Sequence, residues 1–130
     1  IVDRLKDRQP PWSVNSLVHN ASCAVLQDDV YARKSRVFME NERSRFVRGL
    51  RSLSELRVYP SAANFVLIEL PAWTSAGEVT DGLVSKRLLV RDCSTLPGLS
   101  MQMIRVAIRT AKENRRLIAA LGACLTKRHS

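Results

Sequence analysis

The chain has 130 residues, 45% hydrophobic and 25% charged, with a formal net charge of +9. That length suits one ordinary domain with a buried core, and that balance is typical of a soluble globular protein. No apolar run approaches the ~18–20 residues of a membrane span, which excludes a transmembrane helix.

The first residues, Ile1-Val2-Asp3-Arg4-Leu5-Lys6, include no initiator Met and no signal-peptide core, so the chain reads as a segment of a longer protein. Cys23, Cys93 and Cys124 are far apart and odd in number, which suggests neither a zinc site nor a disulfide framework. Reduced thiols in a cytoplasmic protein are expected. His19 and His129 add no metal-ligand pattern. The positive charge raises the question of nucleic acid. However, the basic residues are spread along the chain and aromatic residues are too few to act as stacking platforms. Solvated faces of basic helices are the expected outcome.

Residues 1–8 read as the end of a helix, broken by Gln9-Pro10-Pro11-Trp12. Ser13 is a candidate N-cap for a helix over 14–26. There Leu17, Val18, Ala21, Ala24 and Val25 recur at helical spacing, so the helix is expected to be mostly buried. Asp28 and Asp29 can cap a second, long helix from Val30 to about Leu53. Its expected core stripe is Val30, Val37, Phe38, Phe46, Val47, Leu50 and Leu53, opposite a basic face, with Gly49 as a weak point.

The period then changes. Leu56–Tyr59 is a short strand ended by Pro60, and Asn64–Leu70 a second strand, apolar enough to be buried on both faces. A loop follows, then a short helix from Glu78 to about Lys86, a third strand over Arg87–Arg91 and a loop carrying Pro97-Gly98. Met103–Ile108 is the fourth strand. Thr110, with Glu113 at the capping-box position, starts a last helix from Ala111 to about Leu125. The order is α-α-β-β-α-β-β-α. The expected fold is an α/β, or small α+β, unit: a helical segment over 1–53, then a sheet covered by helices over 54–130.

No phosphate loop, nucleophile elbow or metal cluster is present. The informative feature is smaller. In the fourth strand Ile104, Val106 and Ile108 alternate with Arg105, Ala107 and Arg109, so a long cation stands beside a small alanine. Arg91 ends the preceding strand. If the two strands are neighbours, both guanidiniums converge on one anion pocket, a task for which the planar fork of arginine is suited. The plainer alternative pairs Arg91 with Asp92 or Glu69 and leaves Arg105 on a solvated face.

At these residues a family resemblance enters. Val90-Arg91-Asp92-Cys93-Ser94, Pro97-Gly98-Leu99 and Arg105-Val106-Ala107-Ile108-Arg109-Thr110, followed by Glu113-Asn114, form one set of matching motifs. Upstream, Gln9 to Ser16 and Tyr59-Pro60-Ser61-Ala62-Ala63-Asn64-Phe65 match in the same order. Together they resemble the C-terminal part of fold-type I pyridoxal-phosphate enzymes of the class I/II aminotransferase superfamily. The nearest group is that of threonine-phosphate decarboxylases and histidinol-phosphate aminotransferases. Arg109 before Thr110, where aminotransferases usually have glycine, and the Pro11-Trp12-Ser13-Val14-Asn15 run are more similar to the decarboxylases of cobalamin synthesis.

The resemblance implies that Arg105 grips the substrate carboxylate and Arg91 the substrate phosphate, with Asn64 at the pocket edge. It also implies a phosphorylated amino-acid substrate, pyridoxal 5'-phosphate as cofactor and a cytoplasmic homodimer, with no membrane partner. The family's Schiff-base lysine lies in a Ser/Thr-Lys run before a Gly-Leu-Arg-x-Gly motif. None of Lys6, Lys34, Lys86, Lys112 or Lys127 has that context. This stretch alone is therefore expected neither to hold the cofactor covalently nor to turn over substrate.

Overall fold

The computed structural model describes residues 16–126. The expected helix end over 1–8, the proline break and the Ser13 cap lie outside them. The described residues contain four helices and four strands: α1 (Ser16–Leu26), α2 (Asp29–Arg51), β1 (Arg57–Val58), β2 (Phe65–Glu69), α3 (Ala76–Val84), β3 (Arg91–Asp92), β4 (Met103–Ala107) and α4 (Ala111–Thr126). The expected element order and the α/β class are both observed.

The chain divides into two compact units between Arg36 and Val37. In the first, no residue from 17 to 36 is buried; Leu17 is 82% exposed and Val25 61%. The expected burial of α1 is thus corrected. Helical spacing shows that apolar side chains share a face, but it does not say what covers that face. Asp28 does act as a cap, its Oδ1 accepting the Tyr31 amide at 2.8 Å.

The second unit carries the core. The C-terminal half of α2 contributes Phe46 and Leu50, whereas Val30, Val37 and Phe38 are exposed, so the expected stripe is real only from Glu42 onward. Gly49 is a contact point, not a weakness. A Cβ there would stand 2.6 Å from Ile118 Cδ1 of α4, so its absence lets that side chain approach the helix.

The sheet is antiparallel throughout, in the order β1-β2-β4-β3. β4 lies between β2 and β3, which α3 connects, giving a split β-α-β arrangement. Val66, Ile68, Ile104 and Val106 are fully buried and belong to the same core as Val79, Leu83, Leu117 and Leu121 of α3 and α4. On the opposite face of β2, Phe65 is exposed and Leu67 only half-buried. The expectation that β2 is buried on both faces is therefore wrong. Among the described residues helices cover one side of the sheet, and the other side is open.

The third strand is also shorter than expected and shifted: only Arg91 and Asp92 pair. The chain leaves α3 through Arg87, whose φ is 57°, with Arg87 N–H donating to Val84 O and Leu88 N–H to Leu83 O. That is a Schellman-type helix stop built on an arginine. It consumes the residues that composition assigned to the start of the strand and leaves Leu89 86% exposed.

Candidate functional site

The alternation in β4 sets the site. Ile104, Val106 and Ile108 are buried, and Arg105, Ala107 and Arg109 are exposed on the open face, as their period-two spacing requires. Arg91 of β3 is the direct cross-strand partner of Arg105, so both side chains stand on that face. Side chains directly opposite in an antiparallel pair have Cβ atoms about 5 Å apart. Leu67 of β2 flanks Arg105 on the other side, and Phe65 faces Ala107.

These residues line a groove of about 380 Å³ formed by Asn64, Phe65, Leu89, Val90, Arg91, Arg105 and Ala107. Arg91, Arg105 and Asn64, the three residues singled out from the sequence, all belong to it. Asn64 is fixed through its backbone, its carbonyl accepting from Ile108 N–H at 2.9 Å.

Among the described residues neither Arg91 nor Arg105 forms a salt bridge. The acidic groups nearby are engaged elsewhere. Glu69 accepts from the Tyr59 hydroxyl at 2.7 Å and pairs with Arg57 at 3.5 Å. The same hydrogen bond raises the Tyr59 pKa above its usual value. Asp92 Oδ1 accepts from Ser94 N–H at 2.8 Å. The Ser94 side chain and backbone, with a smaller contribution from the Arg91 charge, hold the Asp92 carboxyl below the ordinary range. Of the plainer alternative, the direct pair of Arg91 with Asp92 or Glu69 is not observed, whereas Arg105 does lie on an exposed face. Two adjacent cations in a concave patch, neither in a salt bridge among the described residues, make this groove a candidate anion site.

Beyond the groove, Arg109 Nε donates to Glu113 at 2.9 Å, so that cation is neutralised. Its backbone N–H donates to Asn114 Oδ1 at 2.9 Å. Asn114 Nδ2 returns a bond to Arg109 O at 2.8 Å and reaches Glu42 Oε2 at 3.3 Å. This buried triangle fixes the exit of β4 against α2 and α4. Another groove, of about 420 Å³ between α3 and α4, carries Trp73, Lys86 and Cys124 but no arginine pair. Among the described residues no group of three His, Cys, Asp or Glu side chains is placed to hold a metal ion. No helix among them is long and apolar enough to cross a membrane.

The model of the family "Aminotransferase class I and II" matches residues 1–121. The chain belongs to that family. Threonine-phosphate decarboxylase of Salmonella typhimurium is 37% identical over 123 residues, which are 95% of this chain and 33% of that protein. Histidinol-phosphate aminotransferase of Methanothermobacter thermautotrophicus is 34% identical over 94% of this chain and 33% of its own length. Among solved structures, histidinol-phosphate aminotransferase from Clostridium acetobutylicum superposes with a TM-score of 0.78 at 30% identity, covering 93% of this chain and 36% of that one. L-threonine-O-3-phosphate decarboxylase from Porphyromonas gingivalis superposes with a TM-score of 0.74 at 25% identity, covering 96% of this chain and 38% of that one. The chain thus spans about a third of the length of the curated relatives it matches.

The aminotransferase class I and II family is pyridoxal-phosphate-dependent. The groove of this family member contains no lysine, so the residues that line it do not supply a Schiff-base amine. What they supply is positive charge and an aromatic ring. Phe65 was named in the sequence only as part of the Asn64-Phe65 motif. Its contact with Arg105 comes from strand pairing across a separation of forty residues, for which a single sequence carries no local signal.

Proposed function

We propose that this chain supplies the substrate-anchoring wall of a pyridoxal-phosphate-dependent decarboxylase acting on L-threonine O-3-phosphate or a close analogue. In this reading Arg105 binds the carboxylate, Arg91 binds the phosphate and Asn64 borders the pocket. Residues 1–53 are a helical connection to the rest of the enzyme, and 54–130 are its small domain. The observation that carries the reading is the direct cross-strand pairing of two exposed arginines in one groove, without a salt bridge to either.

A substrate with a carboxylate and a phosphate on adjacent carbons needs two cationic anchors a short distance apart, and neighbouring strands provide that spacing. Anchoring both acid groups fixes how the Cα–carboxylate bond points, and orientation is what a positioned site contributes to its cleavage. The cofactor, when bound, supplies an electron sink. Arg91 and Arg105 contribute only binding and orientation.

The alternative reading is a histidinol-phosphate-type aminotransferase, whose substrates also carry phosphate. It is supported by relatives of similar identity and superposition. The separating experiment uses the natural gene product that carries this chain, loaded with cofactor. Carbon dioxide release from L-threonine O-3-phosphate supports the decarboxylase. Amino transfer from histidinol phosphate to 2-oxoglutarate, without carbon dioxide release from threonine phosphate, supports the aminotransferase.

A further inference from the structure

We propose that Phe65 is a positioning residue for Arg105, holding its guanidinium over the aromatic ring so that its N–H donors remain available to a carboxylate. The inference rests on the reading of Arg105 as the carboxylate anchor.

An arginine side chain has several rotatable bonds, and ordering it costs conformational entropy. A carboxylate partner would order it but would occupy the donor fork. Arg105 is held differently. Its Cζ lies 4.7 Å from the centroid of the Phe65 ring, and among the described residues it makes no salt bridge. A ring engages the face of the guanidinium and leaves the in-plane donors unused.

Strand pairing explains how the contact arises. Phe65 is directly opposite Ala107, and Arg105 is therefore its diagonal neighbour on the same face of the sheet. A diagonal neighbour lies about 7–8 Å away between Cα atoms, within reach of a long side chain and a ring. Ala107, having only a methyl group, leaves the space beside the ring open. Phe65 remains 37% exposed at the rim of the groove, although the other four residues of β2 are all buried or half-buried. Arg91, on the other side of the groove, has Leu89 and Val90 near it and no ring contact among the described residues. The two anchors are thus unlike: one is restrained by an aromatic face and the other is not.

The test uses the natural gene product that carries this chain and two unreactive ligands, measured by calorimetry. One is 3-phosphonooxybutanoate, which has both acid groups and no amine; the other is isopropyl phosphate, which lacks the carboxylate. Phe65→Leu is expected to weaken 3-phosphonooxybutanoate about three- to tenfold, the range of a partly exposed cation–π contact, and to change isopropyl phosphate by less than about twofold. Phe65→Tyr, which keeps the ring, should restore affinity to within about twofold of the parent. In an Arg105→Ala background Phe65→Leu should cause no further loss.

Equal losses for both ligands, or a full additional loss without Arg105, would overturn the assignment and mark Phe65 as a general packing residue. So would an unchanged affinity in Phe65→Leu when Arg105→Ala still weakens binding. An Arg105→Ala variant with parental affinity would instead remove the carboxylate-anchor reading, and this inference with it.

Discussion

Arg105 and Asn114 illustrate opposite ways for a side chain to matter. Arg105 is exposed, so its removal should leave the fold intact. If it binds the carboxylate as proposed, Arg105→Ala weakens binding of that acid group by about 1.5–3 kcal/mol, as loss of a charge-assisted hydrogen bond does. Calorimetry with 3-phosphonooxybutanoate reads that loss, and a melting curve should show little change. Asn114 is 4% exposed and bonded to the Arg109 backbone in both directions as well as to Glu42. Asn114→Leu keeps the branched outline but strands the Arg109 N–H and one oxygen of a buried carboxylate. We predict a destabilisation of about 1–3 kcal/mol in urea denaturation, with the unfolding slope unchanged. No local pattern announces this role, because Glu42 lies 72 residues away from its partner.

Two of the four helices begin with the same device. Ser75 and Glu78 at α3, and Thr110 and Glu113 at α4, exchange side-chain and backbone hydrogen bonds across the first turn. The second was legible in advance. The first has the same Ser-x-x-Glu spacing, but it is hidden in a segment that reads as loop because Pro71 and Gly77 dominate it. The Ser75 backbone N–H holds the Glu78 carboxyl below its usual pKa of 4.5, as the Thr110 hydroxyl does for Glu113. A lowered folded-state pKa means that the stabilisation is complete above the unfolded value of 4.5 and is lost as pH falls through the folded values. The melting temperature should therefore fall on acidification below about pH 4.5, and Glu78→Gln with Glu113→Gln should flatten that slope. A slope unchanged in the double variant would assign the acid sensitivity to other carboxylates. β3 was the least legible element. A run of Leu88, Leu89 and Val90 has strand composition, but a helix stop immediately before it fixes Arg87 in a left-handed conformation and leaves only Arg91 and Asp92 to pair.

At the scale of the molecule, what could be read was the alternation and the order of the elements, and what could not was which surfaces are covered. α1 and the start of α2 have the apolar spacing of core helices, yet nothing from residue 17 to residue 36 is buried. By contrast the second unit contains every residue of the buried hydrophobic cluster, beginning at Phe46. A chain starting at Val37 should therefore unfold cooperatively with a stability within about 1 kcal/mol of the parent chain, measured by urea denaturation. A large loss would show that the first unit carries stability not visible in its own burial.

The pairing of β4 has a consequence for how this surface can change. Ile104, Val106 and Ile108 are locked inward by the core, and the same two-residue period turns Arg105 outward. A shift of one position along β2 would bury a guanidinium and expose three aliphatic side chains at once. The hydrophobic layer therefore serves as the index mark for the polar one, and the position of the cation is inherited from packing on the far side of the sheet. Variation is free to replace what stands on the open face or to lengthen the loop over 93–102. It cannot slide the strand, because the core would have to be rebuilt in the same step.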